Sequence, residues 1–241
     1  MIIIPMAGLS SRFTRAGYNL PKYMLPLYGE SVFTHSVKSF TAYFKTIPFI
    51  FIARAVADAE DFLKKEINKL GIKEAHIVIL NHETTGQAET VEIGIKKFDL
   101  NLEQPLTIFN IDTFRDNFLF PNISWFKNSD GYLEVFKGDG NNWSYVEPKK
   151  DCGEPLVIKT TEKQPVSDLC CDGLYHFARA QDFLYALTQE RLNPSASELY
   201  VAPLYNHLIK RDYKIHYNLI PKNLITFCGV PTEYDYLLKN L

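Results

Sequence analysis

Residues 2–22 read IIIPMAGLSSRFTRAGYNLPK, and the architecture of the chain follows from them. Ile2, Ile3 and Ile4 form a short β-branched apolar run ended by Pro5, the pattern of a buried strand. A loop of small residues comes next, Ala7-Gly8-Leu9-Ser10-Ser11. A glycine without a Cβ lets a phosphate approach the backbone, and successive N–H groups at such a bend can cradle an anion. Arg12 adds a planar, permanently charged fork suited to phosphate oxygens, and Lys22 a point-like second cation. Strand, loop, Arg and Lys predict an anion site at the carboxyl end of a first strand, where open α/β sheets bind ligands. An ordinary strand–turn with surface cations is the competing account.

The loop is neither a Gly-x-x-x-x-Gly-Lys-Ser/Thr P-loop nor a dinucleotide-binding Gly-x-Gly-x-x-Gly. Gly8-Leu9-Ser10-Ser11-Arg12, followed by Pro21-Lys22 and Met24-Leu25-Pro26-Leu27, instead resembles the N-terminal signature of the nucleotidyltransferases that activate sugar phosphates and related phosphomonoesters. Ser10 stands where that pattern has its second glycine. The resemblance implies a Rossmann-like three-layer α/β/α fold, GT-A-like, with a mixed, mainly parallel central sheet. It implies one domain over residues 1–241, with a nucleotide-binding half at 1–130 and an acceptor-binding half at 131–241. It also implies catalytic roles for Arg12 and Lys22, and nucleotide contacts for Ala7, Gly8, Ser10 and Ser11.

Downstream the pattern alternates. Residues 32–44 read as a helix, 47–53 as a second buried strand, 58–70 as an amphipathic helix closed by Gly71, and 76–80 as a third strand. Alternation at this spacing predicts a parallel sheet with right-handed crossovers. Residues 81–90 form a polar loop leading into a helix, with Thr85 as its expected cap. This loop resembles the family's second nucleotide-contact segment, Thr-x-Gly-x-Ala-x-Thr, which makes Gly86 and Gln87 the candidates for touching the nucleobase. Residues 106–110 form a fourth strand, and Asp112 lies just past its carboxyl end. A carboxylate there suits Mg²⁺, which takes one or two carboxylates plus substrate phosphate oxygens. Taken alone, Asp112 would read as a turn or helix-cap residue. In the resembling family an Asp after this strand binds the metal, and Asp112 is the implied ligand.

From Gly131 the pattern changes to short strands at 131–136, from 143, at 156–160 and at 174–177. Trp143-Ser144-Tyr145-Val146, Glu162-Lys163 and Gly173-Leu174-Tyr175-His176-Phe177 resemble the acceptor half of these enzymes. There a Glu-Lys pair meets the acceptor and the Lys contacts its phosphate, so Glu162 and Lys163 inherit acceptor binding by resemblance. A solvated surface lysine is the plain alternative. Residues 182–191 and 199–210 read as helices, and 215–219 and 224–227 as the last strands. Several family members carry a second metal-binding Asp where this chain has Gly229.

With 241 residues, 46% hydrophobic and 22% charged, the composition suits a globular α/β domain with a full core. A formal net charge of −2 argues against a nucleic-acid partner and leaves room for pockets that take small phosphates. Cys152, Cys170, Cys171 and Cys228 lack metal-ligand spacing, and adjacent Cys170 and Cys171 point to opposite faces of a strand. Buried free thiols in a reducing, cytoplasmic compartment are expected. The apolar start lacks a cationic n-region, and no run is long enough for a bilayer, so neither a signal peptide nor a membrane partner is expected.

The resemblance therefore implies an Mg²⁺-using enzyme that joins an NTP to a phosphomonoester and releases pyrophosphate. Family grounds favour a pyrimidine nucleotide, CTP or UTP, and precursors of capsule or other surface polysaccharide. The acceptor stays open between a sugar 1-phosphate and a small non-sugar phosphate such as phosphocholine or a phosphorylated amino acid. The oligomeric state is not legible in the sequence. The rivals are a GT-A-type glycosyltransferase consuming an NDP-sugar and a non-catalytic nucleotide-sugar-binding protein. Asn110-Ile111-Asp112 is half of the glycosyltransferase Asp-x-Asp motif, and the presence of Arg12, Lys22 and Asp112 together disfavours both rivals.

Overall fold

The computed structural model describes residues 1–98 and 100–240. In chain order the strands and helices are β1 (Ile2–Met6), α1 (Ser11–Arg15), β2 (Pro26–Leu27), β3 (Glu30–Ser31), α2 (Val32–Val37), β4 (Phe49–Arg54), α3 (Ala59–Leu70), β5 (Ala75–Leu80), α4 (Gln87–Lys97), β6 (Leu106–Phe109) and β7 (Thr113–Arg115). There follow β8 (Gly131–Lys137), β9 (Ser144–Pro148), β10 (Val157–Glu162), β11 (Leu169–Phe177), α5 (Ala180–Leu192), α6 (Tyr205–Ile209), β12 (Ile215–Leu219), β13 (Ile225–Phe227) and α7 (Pro231–Lys239). Most of the strands belong to a mixed sheet with helices between them, the α/β class expected, while β2 pairs with β3 and β7 with β13 apart from it. No helix among the described residues is long and apolar enough to cross a membrane. The chain divides into two compact units that interleave in sequence. The N-terminal unit holds Ile2–Thr84, Phe109–Leu119 and Asn223–Leu241; the middle unit holds Met1, Thr85–Ile108 and Phe120–Lys222.

In the N-terminal unit, β1, β4 and β5 pair in parallel, with Ile3 opposite Ile50 and Ile52 opposite Val78. Ile2, Ile3, Ile4, Phe49, Phe51 and Ile52 are all fully buried. Parallel strands covered on both faces need such unbroken apolar runs, which is why the first strand was legible. Helix α3 ends at Gly71, whose φ of 67 is left-handed and whose N–H reaches the carbonyls of Ile67 and Asn68, as the sequence predicted. The helix expected over 32–44 stops at Val37 and continues as a 3-10 turn, Lys38–Tyr43, with Phe40 at φ −103, ψ 22. The Phe40 ring packs 5.0 Å from both Phe109 and Phe118, and this aromatic contact outweighs the local helical preference. Strand β7, which the sequence did not announce, pairs antiparallel with β13, Thr113 facing Phe227.

The middle unit carries the strand order β10-β9-β11-β8-β12, antiparallel except for the parallel β8–β12 pair. Strand β11 starts at Leu169, earlier than expected, and its register shifts between Cys171 and Tyr175 around Gly173, whose φ is 101. Such a bulge bends the strand and masks its alternation in the sequence. Tyr205 stacks on Phe177 at 4.4 Å and donates its hydroxyl to the His176 carbonyl at 2.9 Å, fixing the core. The helix expected over 199–210 is not continuous. Leu199 and Tyr200 lie outside it, and a 3-10 turn (Ala202–Leu204) leads into α6. All four cysteines are free, and Cys170, Cys171 and Cys228 are buried.

Candidate functional site

The N-terminal unit holds the residues predicted for an anion site. Ser10 sits at φ 51, ψ 28, left-handed, immediately before α1. That conformation costs an L-residue about 1–2 kcal/mol, so glycine is the natural occupant of this position in the loop pattern. Here the serine hydroxyl contributes in return, accepting the Lys22 N–H at 3.4 Å. A Cβ on Gly8 would meet no described atom within 4 Å, so the loop backbone is open to an approaching group. Arg12 and Ser11 are exposed, whereas the adjacent Phe13 is buried with Leu25, Leu27, Val32, Phe114, Cys228 and Tyr234. Phe13 thus anchors the short helix that presents Arg12. Ala7 is buried at the end of the strand.

Lys22 Nζ donates to Asp112 Oδ2 at 2.5 Å, the two side chains being 23% and 24% exposed. Burial pushes the Asp112 carboxyl up, but the charge and hydrogen bond of Lys22 and the charge of Arg12 outweigh it and hold its pKa below the usual carboxylate range. Arg12, Lys22 and an ionised Asp112 therefore form one electrostatic cluster. Gly229 lies beside it: a Cβ there would stand 3.0 Å from Asp112 Oδ2 and 3.7 Å from Glu233 Oε2. The β7–β13 pairing produces this approach, and the Cys228 N–H donates to the Asp112 carbonyl at 2.8 Å. Glu233 Oε2 accepts the N–H groups of Gly229 and Val230 at 2.7 and 3.1 Å, and so serves the start of α7. Among the described residues no three His, Cys, Asp or Glu side chains gather as a protein-built metal cage. One ionised carboxylate plus phosphate oxygens is a donor set that Mg²⁺ accepts, and Asp112 fits it.

The middle unit holds the other four predicted residues. Gly86 and Gln87 open α4, but Thr85 is not its cap: the Thr85 N–H and hydroxyl both donate to Glu89 Oε2, at 2.5 and 2.8 Å. Gly86 has a packing role that the sequence did not reveal. A Cβ on it would fall 2.5 Å from the Leu199 nitrogen, while Leu199 N–H donates to Thr85 O at 3.0 Å and Ala88 N–H to Leu199 O at 2.8 Å. Glu162 ends β10, and its carboxylate accepts from the Ser144 hydroxyl. Burial pushes the Glu162 carboxyl up against the opposing pull of Ser144 and Lys163. Lys163, at φ 55, extends its ammonium to the Tyr200 hydroxyl at 2.8 Å and lies 4.7 Å from the centre of that ring. Tyr200 was absent from the sequence-derived candidates because residues 199–210 read as one helix, and only the fold shows what it meets.

No family model and no curated protein matches the chain. Solved structures do. The nucleoside-diphosphate-sugar pyrophosphorylase from Vibrio cholerae RC9 is 51% identical, with 100% of each chain covered and a TM-score of 0.94. The inositol-1-phosphate CTP transferase from T. maritima shares the fold at 13% identity, covering 98% of this chain and 94% of its own, with a TM-score of 0.74. The UTP-bound UGPase from Acinetobacter baumannii does so at 14% identity, 99% and 91% coverage and a TM-score of 0.71. Identity of 51% over the full length of both chains leaves one conclusion: the chain belongs to the nucleotidyltransferase family of nucleoside-diphosphate-sugar pyrophosphorylases.

Proposed function

We propose that this protein transfers a nucleotidyl group from an NTP to a phosphomonoester, a sugar 1-phosphate before other acceptors, and releases pyrophosphate. The Lys22–Asp112 pair within the field of Arg12 carries this reading, because it supplies two cations and one ionised carboxylate beside an open loop backbone. An acceptor phosphate oxygen attacks the α-phosphorus, the bond to the bridging oxygen breaks, and pyrophosphate departs with that oxygen. No covalent enzyme intermediate is needed, so the side chains act by positioning and by neutralising charge. Arg12 stabilises the pyrophosphate as charge develops on it, and Lys22 serves the α-phosphate. Ala7, Gly8, Ser10 and Ser11 give the phosphates backbone contacts, and Gly86 and Gln87 meet the base. Glu162 and Lys163 take the acceptor, with Lys163 on its phosphate.

Asp112 is the ligand we assign to Mg²⁺, which when bound neutralises phosphate charge. With glycine at 229, Asp112 would hold the ion together with phosphate oxygens and water, or with another carboxylate. A pyrimidine nucleotide, CTP or UTP, and a product used for surface polysaccharide are the finer readings that the family resemblance favours. Phosphocholine and phosphorylated amino acids remain as alternative acceptors. The test is pyrophosphate release with Mg²⁺ across five NTPs and a panel of sugar 1-phosphates and non-sugar phosphomonoesters. Release with one pair identifies base and acceptor together. No release from any pair, with no NTP binding by thermal shift, refutes the proposal.

A further inference from the structure

We propose that Tyr200 is the positioning residue for Lys163, holding its ammonium ready for the acceptor phosphate; this rests on the acceptor role given to Lys163 above. A half-exposed lysine ordinarily samples many rotamers, and ordering it on binding costs conformational entropy. Lys163 is held at three points. Its N–H donates to the Trp143 carbonyl at 2.8 Å, its Nζ donates to the Tyr200 hydroxyl at 2.8 Å, and Glu162 Oε1 lies 3.7 Å from Nζ. The ring centre stands 4.7 Å from the ammonium, so the π face favours the cation without using one of its protons. An ammonium has three donors, and the hydroxyl takes one, leaving others for a phosphate.

Tyr200 can do this because the chain leading into it is anchored at two places. Leu199 is bonded to Thr85 and Ala88 across Gly86, where no side chain would fit. Upstream, the Ser195 N–H and hydroxyl donate to Glu190 Oε1 at 2.6 and 2.5 Å, and His207 Nε2 lies 2.6 Å from Glu190 Oε2. The hydrogen bond that Lys163 donates to the Tyr200 hydroxyl, with the charges of Glu162 and Glu198, raises the Lys163 pKa and opposes the effect of burial. Lys163 is thereby kept cationic and pointed, and the preorganisation is worth affinity for the acceptor rather than for the nucleotide.

The experiment compares wild type with Tyr200→Phe, which keeps the ring, and Tyr200→Leu, which removes it. With the NTP–acceptor pair that turns over in the panel, acceptor KM should rise about threefold in Tyr200→Phe and about tenfold in Tyr200→Leu, while NTP KM stays within about twofold. In a Lys163→Met background the same changes should add nothing. Unchanged acceptor KM, or equal rises in both KM values, overturns the positioning role while leaving nucleotidyl transfer standing. A second readout needs no turnover: competitive acetylation of Lys163 followed by mass spectrometry, with inorganic phosphate as the probe. Lys163 should react more slowly in wild type than in Tyr200→Phe, and phosphate should protect it more strongly in wild type. Equal reactivity and equal protection in the two proteins overturn the proposal.

Discussion

Substituting Gly86 by alanine should destabilise the protein by roughly 2–4 kcal/mol. The added Cβ would lie 2.5 Å from Leu199 N, 2.6 Å from Leu199 O and 2.8 Å from Leu199 C. All three are backbone atoms, so no rotamer change relieves the clash, and the 198–200 segment must move away from the start of α4. That movement stretches two hydrogen bonds, Leu199 N–H to Thr85 O at 3.0 Å and Ala88 N–H to Leu199 O at 2.8 Å. Each contributes about 0.5–1.5 kcal/mol net, and inserting a methyl group into a packed site costs about 1–3 kcal/mol where relaxation is incomplete. For a chain of this length about 1 kcal/mol corresponds to roughly 2–4 °C, so Tm should fall by about 4–16 °C. Calorimetry measures the shift, and hydrogen exchange at the amides of Ala88 and Leu199 localises it. A variant with Tm within about 1 °C of wild type and unchanged exchange at both amides would refute the close-approach reasoning.

Three further outcomes are expected. Arg12→Ala and Asp112→Asn should each lower the rate of pyrophosphate release by at least ~10²-fold, the scale of one lost electrostatic transition-state contact; a smaller loss in either counts against the role assigned to it. Gly229→Asp sets a second carboxylate beside Asp112, 3.0 Å from its oxygen already at Cβ, so it should lower Tm in the absence of metal and make Tm rise with MgCl₂; a variant whose Tm ignores Mg²⁺ excludes that arrangement. His176 is buried, and burial pushes its pKa down to about 3. The unfolded chain, with His near 6.5, takes up the proton first as pH falls. The His176 contribution is therefore full above about pH 6.5 and declines between there and about 3, by at most about 1.4 kcal/mol per pH unit. His176→Phe, among Phe120, Phe126 and Tyr132, should flatten the fall in urea stability between pH 7 and 5, and equal slopes in both proteins would refute it.

Strands β1, β4 and β5 and helix α3 were legible because each signal is local. Ile2, Ile3 and Ile4 needed no neighbour to read as buried strand, and Gly71 marks its helix end through its own backbone freedom. The Arg12 loop was readable for the same reason, since the residues we propose to cradle an anion there are consecutive. Where the reading failed, a distant contact had overruled the local preference. Phe40 broke a helix to meet Phe109 and Phe118, and Leu199 left its expected helix to pair with Thr85 and Ala88.

Residue chemistry and order along the chain are set by the sequence itself: which strand precedes which loop, that Arg12 and Lys22 are cations, that Asp112 follows a strand. Only the tertiary structure decided that Lys22 and Asp112 share a hydrogen bond, that Gly229 lies against that carboxylate, and that Lys163 rests on Tyr200. These meetings depend on strand pairing and register, such as Thr113 opposite Phe227, and register is a property of two segments at once. Periodicity describes one segment at a time, so it can place each side chain on a face but cannot say what that face will meet.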